Sequence, residues 1–150
     1  MKTAFATFLL AAAAASHAQA PAPVAVDGAW ARSTVAGQDT SGAYMTLTAR
    51  EPLTLLGAQT PAAGMVEIHE MKMEGDVMKM REAGPLALAP GKPLHLAPGG
   101  SYHFMLMHVK SPMKPGSTIA MTLRFRDAQG AERDLPLTLP VTATGPAHKH

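Results

Sequence analysis

An all-β domain, a sandwich or barrel of antiparallel strands, is what this sequence predicts, on three observations. Short runs of apolar and polar residues in alternation recur at even spacing along the chain. Glycine or proline punctuates nearly every gap between those runs. No window beyond the N-terminal apolar stretch repeats its apolar residues with the 3.6-residue period of an amphipathic helix. Many short strands joined by turns close into a sandwich or barrel because each strand then buries one face.

The chain opens on a secretory signal pattern over residues 1–18. Lys2 is the positive n-region, Phe5 to Ala15 the apolar core, and Ser16, Ala18 and Ala20 the small residues around a cut. A cut after Ala20 would leave Pro21, a tertiary amide, next to the scissile bond, so the cut after Ala18 is preferred. The pattern predicts export. The apolar run is shorter than the roughly 20 residues that span a bilayer, and no later stretch reaches that length. Without residues 1–18 the chain holds 12 basic and 11 acidic side chains, a net charge of +1 with histidines neutral. That balance, with no basic stripe, excludes a nucleic-acid binder. No cysteine is present, so no disulfide reinforces an exported fold and the apolar core must hold it alone.

Pro21, Ala22 and Pro23 form a stiff lead-in to one domain over residues 24–140, and residues 141–150, with Gly145 and Pro146, form a short tail. Expected strands come in order: Val24–Arg32, Ala43–Ala49 and Leu53–Ala58, then Met65–Met73 and Val77–Arg81. Glu74, Gly75 and Asp76 read as a three-residue hairpin loop between the last two. Pro93–Leu96, Tyr102–Met107, Thr118–Arg126 and Arg133–Leu139 complete the set. The period is clearest late in the chain. Ile119, Met121, Leu123 and Phe125 fall on one face, and Ala120, Thr122, Arg124 and Arg126 on the other.

The same period-two rule sorts the residues that carry chemistry. In Tyr102–Met107 the bulky Tyr102, Phe104 and Leu106 face the core, which leaves His103, Met105 and Met107 together on the opposite face. In Met65–Met73, Val66 and Ile68 point one way and His69, Met71 and Met73 the other; Met78 and Met80 again share a face. Eight of the eleven methionines lie between Met65 and Met113. That clustering matters because any one methionine is equally an adaptable core filler. Neutral imidazole and thioether donors suit Cu(I), a soft d¹⁰ ion with little geometric demand. Zinc seeks thiolate, imidazole or carboxylate, hard cations need oxygen cages, and a blue-copper centre needs the thiolate this chain lacks.

Other motifs are weaker. His69 and Glu70 begin an HExxH-like string, but Met73 stands where the second histidine belongs. Ser41 and Ser101 lie in no nucleophile-elbow sequence. His95 and His108 read as surface or packed residues, and His148 with His150 could hold Cu(II) on the tail. Two rivals to a copper carrier stay open at this point: a methionine-faced protein-binding module without metal, and a copper-dependent redox enzyme.

The residues resemble a known family, the periplasmic copper chaperones of the PCu(A)C type. Its pattern is a His, ten residues, a Met, about 21 residues, then His-x-Met; here ten residues separate His69 from Met80, and His103-Phe104-Met105 closes the pattern after a gap of 22. Ala29-Trp30-Ala31-Arg32, Ala43-Tyr44-Met45, Val77-Met78-Lys79-Met80-Arg81 and the Pro98-Gly99-Gly100 turn extend the resemblance. The extra residue in the gap falls in the loop-rich stretch around residues 91–100, where insertion is tolerated. The resemblance implies a cupredoxin-like antiparallel β-sandwich in the periplasm, binding one Cu(I) through His69, Met80, His103 and Met105. It further implies transfer, without catalysis, to the dinuclear copper centre of cytochrome c oxidase, alongside a thiol-containing assembly factor. Met71, Met73, Met78 and Met107 are then expected at the rim.

Overall fold

The computed structural model describes residues 22–146. The signal segment with both cleavage positions, and His148 and His150 of the tail, lie outside the described residues. Ten strands succeed one another: β1 (Val24–Arg32), β2 (Thr40–Ala49), β3 (Leu53–Gln59), β4 (Ala63–Glu74), β5 (Val77–Glu82), β6 (Leu86–Leu88), β7 (Leu94–Leu96), β8 (Tyr102–Val109), β9 (Thr118–Asp127) and β10 (Glu132–Thr142). No helix occurs among the described residues, so none there is long and apolar enough to cross a membrane.

The strands join in the order β5-β4-β8-β7-β2-β1-β10-β9-β3-β6, with β8 also paired directly to β2. Most pairs are antiparallel; β1 with β10 and β7 with β8 are parallel. The two halves of this order meet at the short β1–β10 pairing, Ala31 with Val141 and Arg32 with Thr142. Both halves bury side chains in one core: Leu47, Phe104 and Leu106 from the first, and Leu55, Met121, Leu123, Phe125 and Leu139 from the second. The sheet is thus folded over itself as the expected β-sandwich. Alternation in β9 matches the sequence reading, with Met121, Leu123 and Phe125 buried and Arg124 and Arg126 exposed.

All nine expected strands are present. They extend outward by a few residues, β10 running to Thr142, while β7 starts at Leu94 because Pro93 has no N–H to donate. Two features differ from expectation. Leu86–Leu88 forms β6 on the edge against β3, pairing Leu53 with Leu88 and Leu55 with Leu86. A three-residue strand between Pro85 and Pro90 is too short to display a period. The β4–β5 loop holds two residues rather than three, because Glu74 pairs with Val77 and leaves only Gly75 and Asp76. Gly75 has φ 62°, the positive value required at the first central position of a II′ hairpin turn.

A bulge in β1 decides which way Trp30 and Arg32 point. Asp27 pairs with Thr46 but Trp30 pairs with Tyr44, so β1 carries one extra residue, with Gly28 at φ 61°. An inserted residue reverses the alternation beyond it. Val24 and Val26 pack on the core before the bulge and Ala29 and Ala31 after it. Trp30 and Arg32 are thereby turned to the opposite face.

Candidate metal centre

β8 lies inside the sheet between β4 and β2, and its core face is fixed by Phe104 and Leu106, both 0% exposed. Burying each such side chain is worth about 1.5–3 kcal/mol, so the strand cannot rotate and its other face is set. That face carries His103, Met105 and Met107. His103 is buried, whereas Met105 and Met107 are half-buried.

Strand register then decides which side chains meet. His69 of β4 lies directly opposite His103 of β8, with ring centroids 5.7 Å apart in an edge-on arrangement. Met71 lies directly opposite Met80 of β5, one step along the same face. Glu67 lies opposite Met105, and Gly42 of β2 flanks Met105 from the other side. Residues 34 positions apart in sequence, His69 and His103, thus become neighbours through an antiparallel pairing of β4 with β8.

Met80, His103 and Met105 share the wall of one open cavity of ≈ 300 Å³, to which Met71, Tyr44 and Arg32 also contribute. His69 is not on that wall; it sits behind, against His103. Its Nε2 is 2.7 Å from Oε2 of Glu67, and its Nδ1 is buried with no hydrogen-bond partner. With the ring neutral, Nε2–H donates to the carboxylate and Nδ1 keeps a free lone pair. A carboxylate holding the far nitrogen of a histidine fixes its tautomer and raises the basicity of the other nitrogen. A buried nitrogen without a partner is the atom in this neighbourhood most in need of a ligand. Burial, and secondarily the neighbouring His69, hold the His103 imidazole below its ordinary pKa of 6.5. At neutral pH it is therefore an uncharged donor.

Residues that the ligand pattern did not single out build the surroundings: Tyr44 and Arg32 line the cavity, and Trp30 packs on Tyr44 outside it. Trp30 and Tyr44 stack at 4.7 Å, and the Arg32 guanidinium lies 5.8 Å and 5.5 Å from their ring centroids. The Tyr44 ring lies 6.4 Å from that of His103. Gly42 makes room for it, since a Cβ there would overlap the Tyr44 phenol. Glu67 was likewise missed; a lone carboxylate on a methionine-bearing strand reads as a solvent residue until its register beside His69 is known. The other two histidines among the described residues lie outside this cluster. His95 is exposed with Nδ1 3.1 Å from Thr46 Oγ1, and His108 is exposed at φ 56°.

Among the described residues no three His, Cys, Asp or Glu side chains gather as a metal-holding group. A metal ion at this cluster would have to use thioether sulfur, which selects for a soft ion. A depression of ≈ 370 Å³ on β3, β9 and β10 is lined by Arg124, Arg126 and Glu132 and carries neither His nor Met. Its arginines already pair with Asp134 and Glu132. The combination of imidazole and thioether donors at the β4–β8 face fits a monovalent soft cation.

Comparison with known proteins bears on the family and the fold. A family model described as "Putative lipoprotein LpqE-like" matches residues 24–137. A curated relative, "Putative lipoprotein Lxx21020" of Leifsonia xyli subsp. xyli, is 34% identical over 118 residues, covering 79% of this chain and 69% of that protein. Among solved structures, the apo PCuAC domain from PmoF1 superposes with a TM-score of 0.65 at 24% identity, covering 83% of this chain and 98% of that one. The Cu(I) form of DR1885 from Deinococcus radiodurans, solved in solution, has a TM-score of 0.57 at 31% identity and covers 87% and 84%. The fold is that of the PCuAC domain, the cupredoxin-like sandwich.

Proposed function

The chain belongs to the LpqE-like family, and from that premise we propose that it is an exported copper metallochaperone of the PCuAC type. It binds one Cu(I) through His69, Met80, His103 and Met105 and passes the ion to a cuproenzyme. The observation that carries the reading is the directly opposed pair His69 and His103, set against a cavity whose wall holds Met80 and Met105. Structural likeness to copper-bound PmoF2 and Cu(I)-loaded DR1885 domains supports the same cargo.

Each residue contributes through its placement. His103 is kept neutral by burial, and His69 keeps an unshared nitrogen because Glu67 takes its other one. All four donors are uncharged, so a monovalent ion is held without the strong attraction that thiolates would exert. Met80 lies on an edge strand and is 47% exposed. It is the donor an incoming ligand can displace first. Stepwise replacement of Met80, then Met105, then the two histidines moves copper to an acceptor without releasing it to water.

The acceptor in this reading is the dinuclear copper centre of cytochrome c oxidase in the periplasm, with a thiol-containing assembly factor as co-partner. His148 and His150 add a Cu(II) site on the tail. The test is titration of Cu(I) into the chain against a competing chelator, with and without joint substitution of His103 and Met105. One equivalent that the double variant loses supports the proposal. A wild-type chain that takes up no Cu(I) leaves a methionine-faced docking module instead, and turnover of a substrate by a Cu(II) form would make it an enzyme.

A further inference from the structure

We propose that the β4–β5 hairpin carries a second Cu(I) site, built from the thioethers of Met73 and Met78 with Met71 as third donor. It rests on the reading that Cu(I) is the cargo. Register places Met73 directly opposite Met78, one row beyond the Met71–Met80 pair and on the same face. Directly opposed side chains on an antiparallel pair have Cβ atoms about 4.5–5.5 Å apart, and rows on one face are about 7 Å apart. Methionine side chains with three rotatable bonds close those spans readily.

The ordinary explanation for such methionines, core packing, does not hold here. Met73 is 55% exposed and Met78 52% exposed, and every residue of β5 is exposed. The hairpin projects past the core, whose last β4 side chain is Ile68. Its reverse face is ionic: Arg81 pairs with Glu70 at 2.8 Å and Lys79 with Glu74 at 2.7 Å. Those pairs neutralise Glu70 and Glu74; on the methionine face the one carboxylate of the hairpin arms beyond His69 is Glu82, two rows from the Met73–Met78 pair, whose own donor atoms are sulfur. Three neutral thioethers without an imidazole make a soft site weaker than the His-containing one. The ion stays Cu(I) throughout; binding replaces solvent ligands with Cu–S bonds and moves no electron or proton.

The test uses the full exported chain with its methionine methyl groups isotopically labelled, titrated with Ag(I) as a redox-inert soft d¹⁰ probe and followed by NMR. The first equivalent is expected to shift the methyl signals of Met80 and Met105, and a later equivalent those of Met73 and Met78. Joint Met73→Leu and Met78→Leu substitution, which keeps side-chain size on an exposed strand, is expected to abolish that later equivalent at the Met71 methyl while the first stays unchanged. In the His103→Ala, Met105→Ala chain the Met73 and Met78 signals are still expected to move. Methyl signals of Met73 and Met78 that stay fixed past the first equivalent, or a Met71 response that survives the double leucine change, would overturn the second site. Fixed Met80 and Met105 signals would instead overturn the first site and leave the hairpin result readable.

Discussion

Truncating Met80 and Met121 in parallel separates a proposed ligand from a packing residue, because the side chain removed is the same. Met121 is 1% exposed in the core, whereas Met80 is 47% exposed on the edge strand β5. A buried methionine cut to alanine costs about 2–5 kcal/mol, from lost transfer energy and the cavity left behind. At about 4 °C per kcal/mol for a domain of this size, Met121→Ala should lower the apo Tm by about 8–20 °C. Met80 removes only about half its surface from water, so Met80→Ala should cost about 0.5–1 kcal/mol and lower Tm by no more than about 4 °C. Cu(I) affinity should respond in the opposite order. Even residues that merely hold a metal ligand in place change affinity by about 10- to 100-fold, so loss of a ligand at Met80 should cost at least about tenfold. Differential scanning calorimetry of the apo chains and chelator competition for Cu(I) read the two effects independently. An apo Tm that falls as far for Met80→Ala as for Met121→Ala would make Met80 a core residue, and unchanged Cu(I) affinity would remove it from the ligand set.

Other perturbations probe the same geometry. Glu67→Gln keeps the shape beside His69 but weakens the hold on Nε2, and should reduce Cu(I) affinity by about 10- to 100-fold with little change in apo Tm, read by the same competition. His103 gives up its proton more easily folded than unfolded, so below its ordinary pKa of 6.5 the unfolded state binds more protons and stability falls as pH falls. The apo Tm should therefore drop between about pH 7.5 and about pH 5.5, and His103→Gln should flatten that slope; an unaltered slope refutes the assignment. Gly42→Ala should drive the Tyr44 ring away from its place over β2 and alter the near-ultraviolet dichroism of Trp30, the only tryptophan, stacked on it.

Much of this arrangement was legible from residue order because it depends on period two. Phe104 and Leu106 against His103 and Met105 is a local alternation, and any strand containing them must separate the pairs in that way. The placing of Met71 and Met80 on one face was not legible in this way: it depends on the two-residue turn at Gly75 and Asp76, and the three-residue loop expected from the sequence would shift the register by one and separate them. What residue order did not supply is cross-strand partnership between distant segments. Nothing local says that β4 meets β8 with His69 opposite His103, nor that Glu67 rather than Glu70 serves the histidine, since both carboxylates flank it in sequence. The place of Trp30 against Tyr44 was hidden for a related reason. The bulge at Gly28 reverses the alternation of β1, so a reading in strict period two puts Trp30 on the wrong face. β6 was hidden by its length, three residues held only by pairing with β3.

The division of burial among the donors bears on how copper could be both held and surrendered. The two imidazoles are held in place, His103 on a strand whose other face is locked into the core and His69 by its contact with Glu67. Rigid neutral donors lower the entropy lost when an ion arrives, so they favour capture. The thioethers sit progressively further out, from half-buried Met105 to Met80 on the edge strand and then Met73 and Met78 near the hairpin tip. Along that line the donors become more exposed, and each bond becomes easier for an incoming ligand to replace. On the proposed ligand set, an acceptor that engaged the β5 edge would meet the most labile donor first and the firmest last. A site with four equally buried ligands would hold the ion as tightly yet offer an acceptor nowhere to begin.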